Sequence, residues 1–388
     1  MRSERLASNA LVGVVRSELP FLGAALTLVA FELFADDWLV GLESFYVAAP
    51  IFALLFGVML WAAFGVVRHA DALAQLLGEP YGTLILTLAV VGIEVSLMAA
   101  IMLTGKANPT LARDTMFAVL MIVLNGLVGV AIVVGCLIHR EQEYSLQGAH
   151  AFLSVLVPLA VFALVLPRFT VTTADPTFSP GQELFFALIT VLLYAAFLGI
   201  QTVRHRGFFT HAPSTTGEEA DASVAGVEAE ADSPQGEVQG LAYHAALLVL
   251  TILPIVLLSK RMAKLVDYGI EGVGAPVAIG GVIIALLVLA PEGLAAMKAA
   301  RANQMQRSVN LLLGSAVSTI GLTVPAVLAI SLFTGQSVIL GLDIASAILL
   351  VLTLFVSALT FGGVRTNLLQ GFVHLVMFLV YVELAFAP

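Results

Sequence analysis

Charge is scarce in this sequence. Lys, Arg, Asp and Glu make up 11% of its 388 residues, against about 25% in an ordinary soluble domain, so a single core wrapped in a water-facing surface is excluded. Cysteine is scarcer still. The lone Cys136 lies in an apolar run, which leaves no disulfide framework and no thiolate metal site within the chain. No Gly-rich nucleotide loop, zinc-spaced histidine pair or Gly-x-Ser-x-Gly elbow occurs, and ATP-driven work on this chain has no motif to support it. A basic footprint for nucleic acid is also missing. The net charge of −9 comes from seven acids clustered between Gly207 and Gly240, a segment without Lys or Arg, and the rest of the chain is near balance.

What the sequence has is hydrophobicity: 60% apolar residues, 23 Phe and 33 Gly, with a mean hydropathy of +1.03. Apolar windows of roughly 20 residues, the length that crosses a bilayer as a helix, fall near 19-35, 44-67, 81-104, 115-138, 150-166, 180-203, 241-258, 274-297, 309-333, 338-360 and 368-387. Strands of a barrel would alternate every second residue instead. The expected fold is therefore an all-α polytopic membrane protein of about eleven transmembrane helices. The first window carries Glu32 and runs into Asp36-Asp37-Trp38 rather than a small-residue cleavage site, so it reads as a retained span and not a signal peptide.

Alternating the loops from a cytoplasmic N-terminus puts eleven of the 17 Lys and Arg inside and six outside, which predicts N-terminus in and C-terminus out. Three of the outside charges form the cluster Lys260, Arg261 and Lys264, where a re-entrant or shifted boundary is an open alternative. Segment 207-240 is rich in Ala, Gly, Ser and Glu with no apolar period after Phe209, and it reads as a disordered cytoplasmic tether. It divides the chain into 1-40, an N-terminal segment with one extra helix; 41-206, five spans; and 241-388, five more. An odd number of spans in each unit makes the two units antiparallel, the inverted-repeat layout of secondary transporters, whose sites lie near the midplane between repeats.

The acids test that layout. Glu94 lies near the middle of the second span of the first unit, and Glu292 in the second span of the second unit, directly after Pro291. A carboxylate at bilayer depth costs about 2.5–3.5 kcal/mol on insertion scales and marks a functional site by default. The bland alternatives are a protonated packing residue for Glu94 and a headgroup position for Glu292, with Lys298 less than two turns away. In each unit the next span begins after an arginine, Arg113 or Arg307, and twelve residues later stands a polar group, Asn125 or Thr319. Pro291 predicts a helix break that frees carbonyl oxygens beside Glu292, and such hard oxygen ligands suit Ca²⁺ or Na⁺. Ser96, Asn125, Ser315, Ser318 and Thr319 are supporting candidates, although small residues here also permit close helix packing. Glu32, Glu183 and Glu383 near span ends, and the lone His374, read as structural.

At these residues the chain resembles the calcium/cation antiporter superfamily, and within it the bacterial sodium(potassium)/calcium:proton antiporter branch. The resemblance covers nearly the whole chain and is carried by "RHADALAQLLGEPYGTLILTLAVVGIEVSLM", "LARDTMFAVLMIVLNGLVG" and "APEGLAAMKAARANQMQRSVNLLLGSAVSTIGLTVPAV". It implies one extra helix plus two inverted five-helix repeats in a bacterial inner membrane, with one essential acid per repeat, here Glu94 and Glu292. The chain departs from the calcium/proton exchanger pattern. Val90-Val91 and Val288-Leu289 stand where Gly-Asn precedes each acid, Gly293 replaces a His, and Ser318 a Gln, while Asn125 is kept. Fewer amides make a poorer shell for a divalent ion and keep Na⁺ and K⁺ open beside Ca²⁺.

The expected function is secondary antiport: cytoplasmic cation leaves as protons enter, with no cofactor. Carboxylates drawn out of water favour their neutral form, so protons compete with cations for the same oxygens. The rivals are a cation channel with an acidic selectivity site and an intramembrane enzyme using paired carboxylates.

Overall fold

The computed structural model describes residues 16–40, 45–77, 81–104, 109–204, 240–274, 276 and 278–386. Arg2, Arg5, Lys106, Arg206 and nearly all of the acidic segment, 207–239, fall outside these. Eleven helices follow one another: α1 Leu19–Val40, α2 Phe45–Leu77, α3 Tyr81–Thr104, α4 Leu111–His139, α5 Leu146–Arg168, α6 Pro180–Thr202, α7 Leu241–Val273, α8 Ala278–Arg301, α9 Met305–Thr334, α10 Ile344–Thr360 and α11 Leu368–Phe386. Eight are long and apolar enough to cross a membrane, and the other three hold shorter apolar stretches, counting described residues only. Among those residues there is no strand, only an isolated bridge between Glu143 and Arg365.

The two units match in dimension. The paired helices α2 and α7 each have 33 residues, α3 and α8 each have 24, and α4 and α9 have 29 and 30. Packing follows the same exchange of n for n+5: α3 lies on α9 and α8 on α4, α4 on α11 and α9 on α6, and α2 and α7 on each other. Thirty-three residues span about 50 Å, beyond the roughly 30 Å hydrocarbon core, so α2 and α7 project from it. This corrects the re-entrant alternative at Lys260–Lys264. That run lies inside the continuous α7, where Arg261 reaches Glu32 of α1 at 3.4 Å.

Loop contacts define two ends. At one, Glu18 meets Arg68, His139 meets the Arg301 carbonyl, Gln142 the Ala300 carbonyl, and Glu143 pairs with Arg365. At the other, Arg113 reaches the Gly341 carbonyl, the Ile339 N–H bonds to the Pro109 carbonyl, and Ser331 bonds to Glu183. Residues 16–18 belong to the first end. Helix α11 starts there beside Arg365 and finishes at the second, with Tyr381 packed edge-on against Phe117 of α4.

Helices α4 and α9 are innermost, with Met116, Leu120, Met121, Leu124, Leu313 and Ile320 fully buried. The outer helices turn Leu26, Leu33, Leu192, Phe355 and Leu379 outward, the apolar flank expected against lipid. Both inner helices contain a π turn, Ile122–Leu127 in α4 and Thr319–Thr323 in α9. In α9 the cause is local. Pro325 has no N–H and its ring would strike the carbonyl four residues back, so the turn before it widens. The same logic places the Val161–Val165 π turn of α5 ahead of Pro167.

Candidate functional site

Helix α3 presents Glu94 to α9 in a position only 1% exposed, in a stretch where Val90, Ile93 and Leu97 are buried too. The Thr319 hydroxyl, on the first residue of the α9 π turn, donates to Glu94 Oε2 at 2.9 Å. From the other side α8 brings Glu292, which is half-buried, to the Ser315 hydroxyl. Both acids thus meet α9, Glu94 through Thr319 and Glu292 through Ser315. Ser315 and Thr319 are four residues apart, so they share one face of α9 and stand between the two acids.

Thr323 continues that face. It lies beside the Glu94 carboxyl, with its Oγ1 buried and without a hydrogen bond of good geometry. Nothing in the reading of the sequence singled it out, yet its position four residues beyond Thr319 was signal enough. Glu94 Oε1 and Glu292 Oε2 are likewise buried and unpartnered. Buried oxygens left without partners are costly. These three, two of them carboxyl oxygens, lie along the stretch of α9 from Ser315 to Thr323, and hard oxygens of this kind suit a proton or an alkali or alkaline-earth cation.

The remaining sequence candidates fall elsewhere. Ser318 donates to the Ser315 carbonyl at 3.0 Å, a bond within its own helix. Ser96 is half-buried, two residues past Glu94 and so about 200° around α3 from it. Asn125 is turned away. Its Nδ2 donates to Thr353 Oγ1 at 2.9 Å, and its Oδ1 faces His374 Nδ1 at 3.3 Å. His374 is completely buried, and its other nitrogen meets Thr360 Oγ1 at 2.9 Å. The histidine read as a lone packing residue thus anchors a polar network joining α4, α10 and α11.

The break expected at Pro291 is also corrected: α8 runs unbroken from Ala278 to Arg301. The proline removes one N–H and leaves the Leu287 carbonyl without its usual partner, but the flanking turns hold the helix. Close packing accounts for Gly293, where the resemblance leads one to expect histidine. A Cβ there would lie 2.9 Å from Leu127 Cδ2 of α4, so any side chain at this position requires the leucine to move.

A cleft of about 640 Å³ runs between α2 and α8 from the first end of the bundle. Arg68, Asp71, Lys298 and Arg307 line its mouth, and Pro291, the neighbour of Glu292, lies in its wall. Toward the second end the helices close together. A Cβ on Gly281 of α8 would stand 2.8 Å from the Thr115 nitrogen of α4.

Comparison with known proteins agrees with this architecture. The family described as sodium/calcium exchanger protein matches residues 47–203 and 243–387, the two blocks on either side of the acidic segment. The sodium-potassium/proton antiporter ChaA of Escherichia coli (strain K12) is 39% identical over 329 residues, 85% of this chain and 87% of ChaA. Among solved structures, the Ca²⁺/H⁺ antiporter protein YfkE superposes with a TM-score of 0.71 at 18% identity, covering 96% of this chain and 99% of YfkE. The H⁺/Ca²⁺ exchanger CAX gives 0.59 at 17% identity, covering 94% and 89%. At such identities these two likenesses speak for the fold alone.

Proposed function

The chain belongs to the sodium/calcium exchanger protein family, whose members are secondary transporters and not enzymes, and from that premise we propose that it exchanges cytoplasmic Na⁺, K⁺ or Ca²⁺ for protons at Glu94 and Glu292. The observation that carries this reading is the pair of carboxyls, Glu94 buried and Glu292 half-buried, flanking the Ser315–Thr319–Thr323 face of α9, each with a buried, unpartnered oxygen. Cation and proton need the same oxygens, so occupancy is mutually exclusive, which is the condition for coupled exchange. With either substrate bound the site loses charge and can be occluded, whereas two bare carboxylates are costly to enclose. A site of two acids and hydroxyls, with Asn125 held by His374, fits monovalent ions better than a divalent ion that wants six to eight oxygens. The sodium-potassium/proton assignment of ChaA supports the same preference.

We place the end bearing Glu18, Arg68, Lys298 and Arg307 in the cytoplasm of a bacterial inner membrane, with 1-40, 41-206, 207-240 and 241-388 as extra helix, first repeat, linker and second repeat. The cleft to Pro291 then makes this an inward-facing state, and the tight α8–α4 crossing at Gly281 is the closed outer gate. A path open at one end and shut at the other favours alternating access over a continuous pore.

The test is cation-driven dissipation of a pH gradient in vesicles holding wild type, Glu94→Gln or Glu292→Gln. Glutamine keeps shape but cannot alternate between proton and cation, so each variant should insert normally and lose exchange. Glu32→Gln and Glu383→Gln, at exposed positions, should keep it. Near wild-type rates for all three ions in either site variant would reject the two-carboxylate site.

A further inference from the structure

At the end of the bundle assigned to the cytoplasm, where α1 begins, α2 emerges and α7 starts, lies a second cluster of titratable groups. The Glu18 carboxylate, 8% exposed, accepts from Arg68 Nη2 at 2.8 Å and from Tyr243 OH at 2.7 Å, and lies 3.0 Å from His69 Nε2. The Arg68 guanidinium is also 3.1 Å from that nitrogen. On its other side His69, 1% exposed, points Nδ1 at Nδ1 of His244, 3.1 Å away. Five side chains from three helices thus form one group. Burial works to raise the Glu18 carboxyl, but Tyr243, Arg68 and His69 outweigh it and hold it below the usual carboxylate range, so the acid stays charged.

Two imidazole nitrogens at 3.1 Å share a single proton, one ring donating and the other accepting. The contact survives one added proton through a change of tautomer. A second sets N–H against N–H and places two cations beside Arg68, with Glu18 the only acid that faces the pair among the described residues of α1, α2 and α7 and the turn before α1. The cluster's charge then goes from zero, Glu18 against Arg68, to +2. Arg68 also lines the cleft to Pro291, alongside Lys298 and Arg307 and the single acid Asp71. A charged His69 competes with Arg68 for the same Glu18 oxygen and repels its guanidinium, which would drive that group into the cleft it already lines and into the path of an entering cation.

We propose that Glu18, Arg68, His69, Tyr243 and His244 form a cytoplasmic proton sensor that closes the cation cleft when the cytoplasm becomes acid. The logic is negative feedback: an exchanger that imports protons stops when they accumulate on the side it delivers them to. This rests on the antiport reading and on the orientation above.

The test uses full-length protein in vesicles with its cleft side outward, with exchange measured against outer pH. Burial and the neighbouring Arg68 oppose both imidazolium charges, so wild type should lose activity at a pH below the ordinary histidine value of about 6.5, along a limb steeper by one proton than that of His244→Gln, about tenfold more per pH unit at its steepest. The glutamine amide donates to His69 at any pH and adds no second proton. His244→Arg, permanently charged, should already run slowly at pH 8. An acid limb of His244→Gln that superimposes on the wild-type limb, or His244→Arg as fast as wild type at pH 8, overturns the sensor. A readout independent of transport is the distance between spin labels at Leu76→Cys and Leu241→Cys, both exposed. It should lengthen from pH 8 to pH 5.5 in an otherwise wild-type chain and stay constant with His244→Gln. Equal distances in both refute the sensor, whereas lengthening in a protein that exchanges no cation rejects the antiport reading alone.

Discussion

Replacing Thr319 by valine is the most direct measure of how the site chooses between proton and cation. Thr319 is 2% exposed, and its hydroxyl donates to Glu94 Oε2 at 2.9 Å. Valine keeps the shape, inserts at least as readily, and removes only the donor. Since Glu94 Oε1 has no hydrogen bond of good geometry either, the variant leaves the carboxyl with only the poorly aligned Thr323 hydroxyl beside it. A bond to a charged acceptor is worth about 1.5–3 kcal/mol, roughly ten- to 150-fold in an equilibrium constant. The loss falls on the ionised form, which is the form that binds cation. Thr319→Val should therefore raise the half-saturating cation concentration by about one to two decades and move the acid limb of exchange to higher pH, with maximal rate at saturating cation less affected. The assay is initial exchange rate against Na⁺, K⁺ and Ca²⁺ at several pH values, with Ser318→Ala as control because its hydroxyl bonds only to the Ser315 carbonyl. Half-saturation within twofold of wild type for all three ions, with an unmoved acid limb, would show that Thr319 does not serve the site.

Labels at Ser223 and at Pro388 should react from opposite faces of the membrane, and labelling of both from one face would refute the proposed orientation. Deleting residues 214 to 236 should leave exchange intact, because the seven acids of this region are scattered among small residues without the spacing that Ca²⁺ coordination requires; loss of transport in a correctly inserted deletion would count against a simple tether. Asp343 caps α10, its Oδ1 accepting from the Ser346 N–H at 2.9 Å. Burial works to raise its carboxyl, but hydrogen bonds from Ser346 and Ala345 and the charge of Arg113 outweigh it and hold it below the usual range. A depressed value means stabilisation present at neutral pH and lost as pH falls through the folded value. Asp343→Ala should cost about 1 kcal/mol in thermal unfolding in detergent at pH 7, and the gap to wild type should narrow as the buffer is taken below the usual aspartate range.

Much of the architecture was legible in the sequence because a bilayer imposes a length on every apolar run: each of the eleven windows overlaps one of the eleven helices, although α2 and α7 continue 10 and 15 residues beyond theirs. Glu94 and Glu292 stood out for the same reason: a carboxylate in hydrocarbon is expensive enough to need an explanation wherever it occurs. Their equivalent places in the two units could be read by counting spans. Counting could not reveal which way a side chain points. The π turn at Ile122–Leu127 changes the helical register around Asn125 and hands it to Thr353 and His374. The turn at Thr319–Thr323 sets Thr319 on Glu94, with Thr323 beside the same carboxyl. Pro291 looked like a break because a local rule says proline interrupts a helix, but α8, packed against α4 and α9, continues through it. The pairing of His69 with His244 joins residues 175 apart in the chain, and no local pattern announces it. Composition and periodicity determined the helices and the two costly acids, since both follow from transfer energies of single residues; the partners of those acids depend on where helices cross, which only the folded chain decides.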